Sequence, residues 1–205
     1  MSGIAGWADY SKRLHGEGRT VKSMTKRLAA GTDAEEGFWV SEHMLLGAAG
    51  PNAQGPVVCK RAEHMYILVF DGELYNTADI IIELERLGHK FETRDDAHAI
   101  LHAYMEWGDE FLTHLNGVFA LAIRDAERER LFLARDRFGI KPLFCCRLDN
   151  GVIFASTLRA LLAHQDITPR LGERGLNEIF TVGPARTPDS GVFDGIAQLL
   201  PGVAA

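Results

Sequence analysis

The chain has 205 residues, of which 46% are hydrophobic and 24% are charged, and its formal net charge is −6. This composition is typical of a globular protein with one large domain, and the absence of basic runs argues against nucleic-acid and membrane-surface binding. No apolar stretch approaches the length of a transmembrane helix, and the first residues lack the pattern of a signal peptide. We therefore expect a cytoplasmic protein with neither nucleic-acid nor membrane partners.

The amino-terminal third of the chain predicts short strands and one helix. The predicted strands are, in order, IAGWA, GFWV, HMLLGA and MYILVFDG. The helix covers TVKSMTKRLAA, in which Val21, Met24 and Leu28 fall on one face. Before the last of these strands, the Gly- and Pro-rich stretch AAGPNAQGP predicts a loop.

The rest of the chain predicts more helices and strands. Two helices with apolar stripes, each ending at a glycine, are predicted over TADIIIELERLG and DDAHAILHAYMEWG. The strands GVFALAIRD and RLFLARD are almost continuously apolar, so both faces of each should be covered. A hairpin over CRLDNGVIFAS and helices over STLRALLAH and LGERGLNEIF follow. We expect one domain over residues 1–205, with stacked sheets.

The amino terminus itself is a candidate for chemistry. If Met1 is removed, Ser2 carries the free α-amine, directly before a small apolar strand. A terminal residue with a side-chain nucleophile can use its own α-amine as general base. Ser2 therefore stands at a nucleophile position.

Several motifs together resemble a known family. They are GIAGW beside the initiator, FDGELYN, GVFALAIRD, LFLARDRFGIKPL and FAS…RALL. In this order they resemble class II glutamine amidotransferases, most closely the N-terminal glutaminase domain of asparagine synthetases, from Ser2 to the LLPG near the end. The resemblance implies an α+β, N-terminal-nucleophile fold of four layers, α-β-β-α, with two facing antiparallel sheets.

The resemblance also implies a reaction. In active members a terminal cysteine attacks the side-chain amide of glutamine, ammonia leaves, and water hydrolyses the thioester. A backbone N–H and an asparagine side chain stabilise the oxyanion, while an arginine and acidic residues hold the glutamine α-carboxylate and α-amine. Ammonia then reaches a synthetase domain that activates an acceptor carboxylate with ATP.

The catalytic positions match this pattern unevenly. Ser2 stands where the family has its cysteine, and a serine hydroxyl is the weaker nucleophile at neutral pH. Asp71 stands where the family has the oxyanion-hole asparagine, and an ionised carboxylate repels an oxyanion. Gly72 keeps a backbone N–H for that role. For Asp71 two alternatives stay open: an ion pair with the ammonium of Ser2, and a turn residue at the surface.

The positions expected to bind the glutamine carboxylate have lost their basic residues. The family's LGHRRLS reads LGAAGPN here, so Ala48, Ala49 and Gly50 replace the basic residues, and Gly50 takes the place of the carboxylate-binding arginine. Upstream, Ala30 replaces an arginine while Asp33 is retained.

The positions expected to bind the α-amine are better preserved. Glu73 and Asp96 match the family's acidic residues, whereas His98 takes the next acidic position. The resemblance thus leaves the ammonium half of an amino-acid pocket without its carboxylate half.

Two further groups of polar residues are candidates for a metal site and for an ion-paired loop. His98 and His102 are spaced i, i+4 on a predicted helix, but no third ligand is evident, so we predict no metal site and solvated or cap-side histidines. Arg135, Asp136 and Arg137, at the end of a buried strand, predict an ion-paired hairpin exit that holds neighbouring loops.

Three functions follow as hypotheses. The first is an amidotransferase-like scaffold or regulatory module with weak or no glutaminase activity, for an asparagine-synthetase-like partner. The ATP loop SGGxDS does not occur in the chain, so ATP and Mg would belong to that partner and this chain would need no cofactor. The second is an active amidohydrolase that uses Ser2 and the Gly72 N–H on glutamine or another amine-bearing amide. The third is a binding module for such a small molecule, and a homodimer is left open.

Overall fold

The computed structural model describes residues 2–29, 36–181, 187 and 189–205, without the side chain of residue 174. The strands in the described residues are β1 (Gly3–Asp9), β2 (Glu36–Val40), β3 (Met44–Ala49), β4 (Ala53–Arg61), β5 (His64–Leu74), β6 (Gly117–Asp125), β7 (Arg130–Arg135), β8 (Phe144–Leu148), β9 (Gly151–Ala155) and β10 (Ile196–Gln198). The helices are α1 (Gly18–Leu28), α2 (Thr77–Arg86), α3 (Asp96–Trp107), α4 (Leu158–Leu161) and α5 (Glu173–Thr181), with a 3-10 helix at Gly108–Thr113. Among these described helices, none is long and apolar enough to span a bilayer.

The strands form two antiparallel sheets. One sheet has six strands in the order β10-β8-β9-β1-β3-β2, and the other has four in the order β4-β5-β6-β7. The amino-terminal strand β1 is central in the larger sheet, because it pairs with β3 on one side and with β9 on the other. Strand β1, which follows Ser2 directly, therefore lies inside the fold.

Three apolar clusters separate four layers. On the outer face of the four-stranded sheet, α2 and α3 contribute buried residues such as Leu84 and Ile100. On the outer face of the six-stranded sheet, α1 contributes Val21 and Met24. Between the inner faces of the two sheets lies a third cluster that includes Phe154. The predicted α-β-β-α order is confirmed, and so is the prediction that the apolar strands β6 and β7 are covered on both faces.

The start of β1 is fixed by a buried serine that follows β9. Ser156 Oγ accepts a hydrogen bond from the Ile4 N–H at 2.9 Å, and the Ser156 N–H donates to the Ile4 carbonyl at 2.8 Å. Gly3 lies so close that a Cβ there would meet the Ser156 Cβ at 2.7 Å. These contacts hold the backbone directly after Ser2.

Two predicted boundaries are wrong. The stretch predicted as a loop contains the start of β4, whose register shifts between Gln54 and Val57 around a Gly55 with a φ of +105°. Glycine and proline in this edge strand produce the irregularity, which hides the strand pattern. The helix predicted over STLRALLAH is only the short α4, which Thr157 caps by accepting the Ala160 N–H at 3.2 Å.

Replacing Ser156 with alanine should destabilise the protein. In Ser156→Ala the buried Ile4 N–H loses its acceptor, which should lower the free energy of unfolding by about 1–3 kcal/mol. Urea denaturation measures this change. The exposed Ser23 of α1 provides the control, since Ser23→Ala should stay within about 0.5 kcal/mol. A Ser156→Ala change as small as the control would contradict the assigned anchor.

Candidate active site

The predicted site residues lie at one end of the two-sheet sandwich. Gly3, the residue after Ser2, pairs with Ala49 at the end of β3. A short turn at residues 50–52 then crosses to the other sheet, where Ala53 pairs with Asp71. Because that turn can span at most about 15 Å, Ser2 and Asp71 belong to the same end of the sandwich.

Asp71 forms a buried ion pair. Its side chain is only 2% exposed, and its Oδ1 accepts a hydrogen bond from Lys141 Nζ at 3.0 Å. The alternative of a surface turn residue is therefore wrong, because Asp71 is part of β5 and is buried. The cation that faces Asp71 in the described residues is the Lys141 ammonium, 70 residues away in sequence, and the predicted pair with Ser2 stays a prediction.

A loop held by several hydrogen bonds places Lys141 beside Asp71. The fully buried Asp136 accepts the backbone N–H groups of Phe138, Ile140 and Lys141 at 2.9–3.0 Å. Arg135 donates to the carbonyls of Lys141 and Leu199 at 2.7 Å and to that of Gly139. The prediction that these residues hold neighbouring loops is confirmed. The predicted ion pairing is wrong, since both side chains bind backbone groups instead.

Gly72 follows Asp71 and has little free space. Its backbone N–H donates to the Asn52 carbonyl at 3.2 Å. Its φ is +157°, and a Cβ at this position would meet the Val118 carbonyl oxygen at 2.1 Å, so only glycine fits. An oxyanion at this position would have to replace the Asn52 carbonyl, and the oxyanion role of Gly72 stays a prediction.

The segment expected to bind a carboxylate offers no cation. Ala48 and Ala49 are 2% and 1% exposed, and Ala48 packs between the two sheets. Gly50 begins the turn with a φ of +108°, a conformation that glycine adopts readily. Ala30 and Asp33, also predicted near this segment, lie outside the described residues.

The acidic positions differ in their surroundings. The side chain of Glu73 is exposed. Asp96 is at the start of α3, where its Oδ2 accepts the Leu74 N–H at 2.9 Å and its Oδ1 accepts the Thr77 hydroxyl. Asp96 thus joins α3 to the end of β5 beside Glu73. Binding of an amine by these two carboxylates stays a prediction.

The histidines of α3 have separate partners. His98 Nδ1 lies 2.7 Å from Oδ1 of Asp95, the residue that caps α3, so the cap-side interpretation holds for His98. For His102 that interpretation is wrong, because its Nδ1 lies 3.0 Å from Nδ1 of His89 in a partly buried cluster. Over the described parts of the chain, no three His, Cys, Asp or Glu side chains are arranged to hold a metal ion.

Sequence reasoning missed two residues that shape this end of the molecule. Neither Lys141 nor Ser156 was predicted to have a role, although both belong to motifs that carried the family resemblance, FGIKPL and FAS. Lys141 follows Asp136 by five residues, and this spacing gives no indication of which strand its side chain reaches. Only the folded chain brings it to Asp71.

Comparisons with known proteins agree with this geometry. A family model described as a glutamine amidotransferase domain matches residues 1–205. Asparagine synthetase (glutamine-hydrolyzing) 3 of Bacillus subtilis (strain 168) is 41% identical over 98% of this chain and 34% of that relative. Asparagine synthetase (glutamine-hydrolyzing) 2 of the same organism is 36% identical over 75% of this chain and 20% of the relative. This chain thus spans about a third or less of the length of these relatives.

A solved structure shares the fold. Glutamine phosphoribosylpyrophosphate amidotransferase from B. subtilis, complexed with ADP and GMP, matches with a TM-score of 0.61 at 17% identity, over 78% of this chain and 43% of that chain. The two facing antiparallel sheets and the strand that starts at residue 3 define an N-terminal-nucleophile amidotransferase fold. The chain belongs to the glutamine amidotransferase domain family and is similar to the glutaminase domains of asparagine synthetases.

Removing the cation at Lys141 should destabilise the fold. In Lys141→Gln the buried Asp71 carboxylate loses its counter-charge, and we expect the free energy of unfolding to fall by about 2–4 kcal/mol. The double variant Lys141→Gln/Asp71→Asn should recover most of this loss, because no buried charge remains. Urea denaturation at neutral pH compares these variants with Lys22→Gln, which alters an exposed lysine of α1. A double variant no more stable than Lys141→Gln would contradict the pairing.

His102 should make the stability depend on pH. Burial, together with the neighbouring His89 and His98, lowers the pKa of His102 from its usual 6.5 to about 4. Between these values the unfolded chain binds more protons at His102 than the folded chain, so the free energy of unfolding should fall as the pH drops from about 6.5 to 4. Denaturation of His102→Gln across this range should give a flatter profile. His15→Gln, at an exposed histidine, should keep the profile of the parent chain.

Proposed function

We propose that this chain is a cytoplasmic amidotransferase-like domain of an asparagine-synthetase-like system that has lost efficient glutamine hydrolysis. Its role would be that of a scaffold or regulatory module for an ATP-dependent, amide-forming partner. The observation that carries this proposal is the buried ion pair that Lys141 forms with Asp71, the residue expected from the resemblance at the oxyanion-hole position.

The ion pair argues against stabilisation of an oxyanion. An ionised carboxylate only accepts hydrogen bonds, and Oδ1 of Asp71 already accepts one from Lys141 Nζ at 3.0 Å. The second donor expected there, the Gly72 N–H, already donates to Asn52. Loss of one oxyanion donor commonly lowers kcat by about 10²–10³-fold. A serine in place of cysteine at position 2 lowers the rate further.

The substrate side supports the same conclusion. A glutamine α-carboxylate needs a cation or several donors, and the buried Ala48, Ala49 and the turn residue Gly50 supply no side chain for it. Glu73 and Asp96 remain for an ammonium group. This half-pocket suits weak binding of glutamine or another amine-bearing molecule better than its hydrolysis.

The partner is inferred from the relatives. This chain aligns with 34% of an asparagine synthetase, and the ATP loop SGGxDS does not occur within its 205 residues. ATP, Mg and the activation of an acceptor carboxylate would therefore belong to a synthetase domain or subunit. Such a partner could form an amide from free ammonia without any contribution from Ser2.

Ammonia release from glutamine tests the catalytic part. The purified chain, with the amino terminus identified by intact mass, should release no more ammonia from glutamine than its Ser2→Ala variant. Ser2→Cys supplies the thiol and Asp71→Asn/Lys141→Gln supplies the oxyanion donor without an unpaired buried charge, and comparison of these two variants shows which deficiency dominates. Turnover near 1 per second that disappears in Ser2→Ala, typical of an ordinary enzyme, would overturn the proposal in favour of a working amidohydrolase.

A second arm of this experiment tests the partner. The chain is mixed with the remaining part of B. subtilis asparagine synthetase 3, and ATP-dependent amide formation is measured with ammonia or with glutamine as nitrogen source. We expect amide formation with ammonia as the nitrogen source and none with glutamine. The amino-terminal third of that synthetase is the matched control, and an equal response to glutamine with this chain would contradict the proposed loss of hydrolysis.

A further inference from the structure

A cavity lies at the opposite end of the sandwich from the candidate active site. It has a volume of about 420 Å³ and is lined by Tyr10 after β1, by residues 41–44 before and at the start of β3, by Arg124 of β6 and by Glu129 of the following turn. Strand β1, seven residues long, separates it from Ser2 by roughly 20 Å. Chemistry at Ser2 makes no use of this cavity.

Arg124 is the unusual group in the cavity. Side chains alternate along β6, so Arg124 shares a face with Ala120 and Ala122, which pack between the two sheets. Its Nη1 is shielded from solvent and finds no hydrogen-bond partner within the described part of the chain. Shielding such a donor without an acceptor is unfavourable, and native structures satisfy nearly all such groups. Arg124 also lines the cavity, so a ligand there would meet its guanidinium.

The charges around Arg124 favour a monoanion. Glu42 also lines the cavity, but its carboxylate pairs with Arg13 at 2.9 Å. Glu129, on the rim, is exposed and carries a second negative charge. A ligand with two negative charges would be repelled by these carboxylates, whereas a single carboxylate needs only the Arg124 guanidinium.

The walls of the cavity favour a planar ring. The rings of Tyr10 and His43 lie 6.4 Å apart at an angle of 29°, and Tyr10 is 50% exposed. Burial raises the pKa of the Tyr10 phenol and the Arg124 charge opposes that rise, so the two side chains are neighbours. His43 Nδ1 lies 3.2 Å from the Lys12 carbonyl, which fixes the orientation of the imidazole. Aromatic faces beside a guanidinium suit an aromatic carboxylate.

We propose that this cavity binds a small aromatic monocarboxylate, with the carboxylate on Arg124 and the ring against Tyr10 and His43. Such a site is independent of glutamine hydrolysis and of the Asp71–Lys141 pair. Occupation of the cavity would place a counter-charge beside the Arg124 guanidinium and link the two sheets at the end where β1 leaves the sandwich.

Saturation-transfer NMR with sodium benzoate as the probe tests the proposal on the full chain at low ionic strength. We expect saturable binding with a dissociation constant on the order of 1 mM and at least tenfold weaker binding of the neutral benzyl alcohol. Arg124→Gln should weaken benzoate binding about tenfold, and Tyr10→Leu should weaken both probes. The control Arg159→Gln removes an exposed arginine of α4 and should change neither.

The variants separate the site from a general charge effect. Arg124→Lys keeps the charge without the planar fork and should bind benzoate more weakly than the parent chain but more tightly than Arg124→Gln. Circular dichroism establishes that each variant is folded, and if Arg124→Gln is unfolded the lysine variant carries the comparison. Absence of saturable benzoate binding, or equal losses in Arg124→Gln and Arg159→Gln, would overturn the proposal.

Discussion

Coverage of both faces of both sheets is the constraint on which this molecule depends. Helices cover the two outer faces, and the inner faces cover each other, so apolar side chains fill all three interfaces. The predicted site residues Gly72 and Asp71 and the cavity at Tyr10 lie towards the ends of the sandwich. Ser2 therefore precedes the central strand β1 at one end of the sandwich, and Tyr10 follows it at the other.

The buried ion pair between Asp71 and Lys141, at the Ser2 end of the sandwich, contributes to the stability of the fold. A carboxylate at Asp71 is tolerated in this layer because the loop held by Arg135 and Asp136 brings Lys141 to it. Removing either partner alone would leave a buried charge, which is costly. A carboxylate at position 71 is thus coupled to the packing through Lys141, so substitution of Asp71 alone would leave the Lys141 charge unpaired.

Local pattern sufficed to predict the layers but not the contacts between them. The apolar runs of β6 and β7 predicted sheets covered on both faces, and periodicity predicted α1 to α3. Gly55 hid the start of β4, because a bulged edge strand has no regular alternation. The partner of Asp71 could not be predicted, since Lys141 is 70 residues away and local pattern contains no information about such a distance.

The two ends of the sandwich differ in how a charged side chain obtains its counter-charge. Asp71 receives its counter-charge from Lys141 of the chain itself. Nη1 of Arg124 has no partner among the described residues, and the guanidinium lines a cavity in which a ligand can supply a counter-charge. Since charges in an apolar layer require a partner, the paired end is suited to structure and the unpaired end to binding. The proposed ligand site therefore lies at the end of β1, opposite the candidate active site at its start.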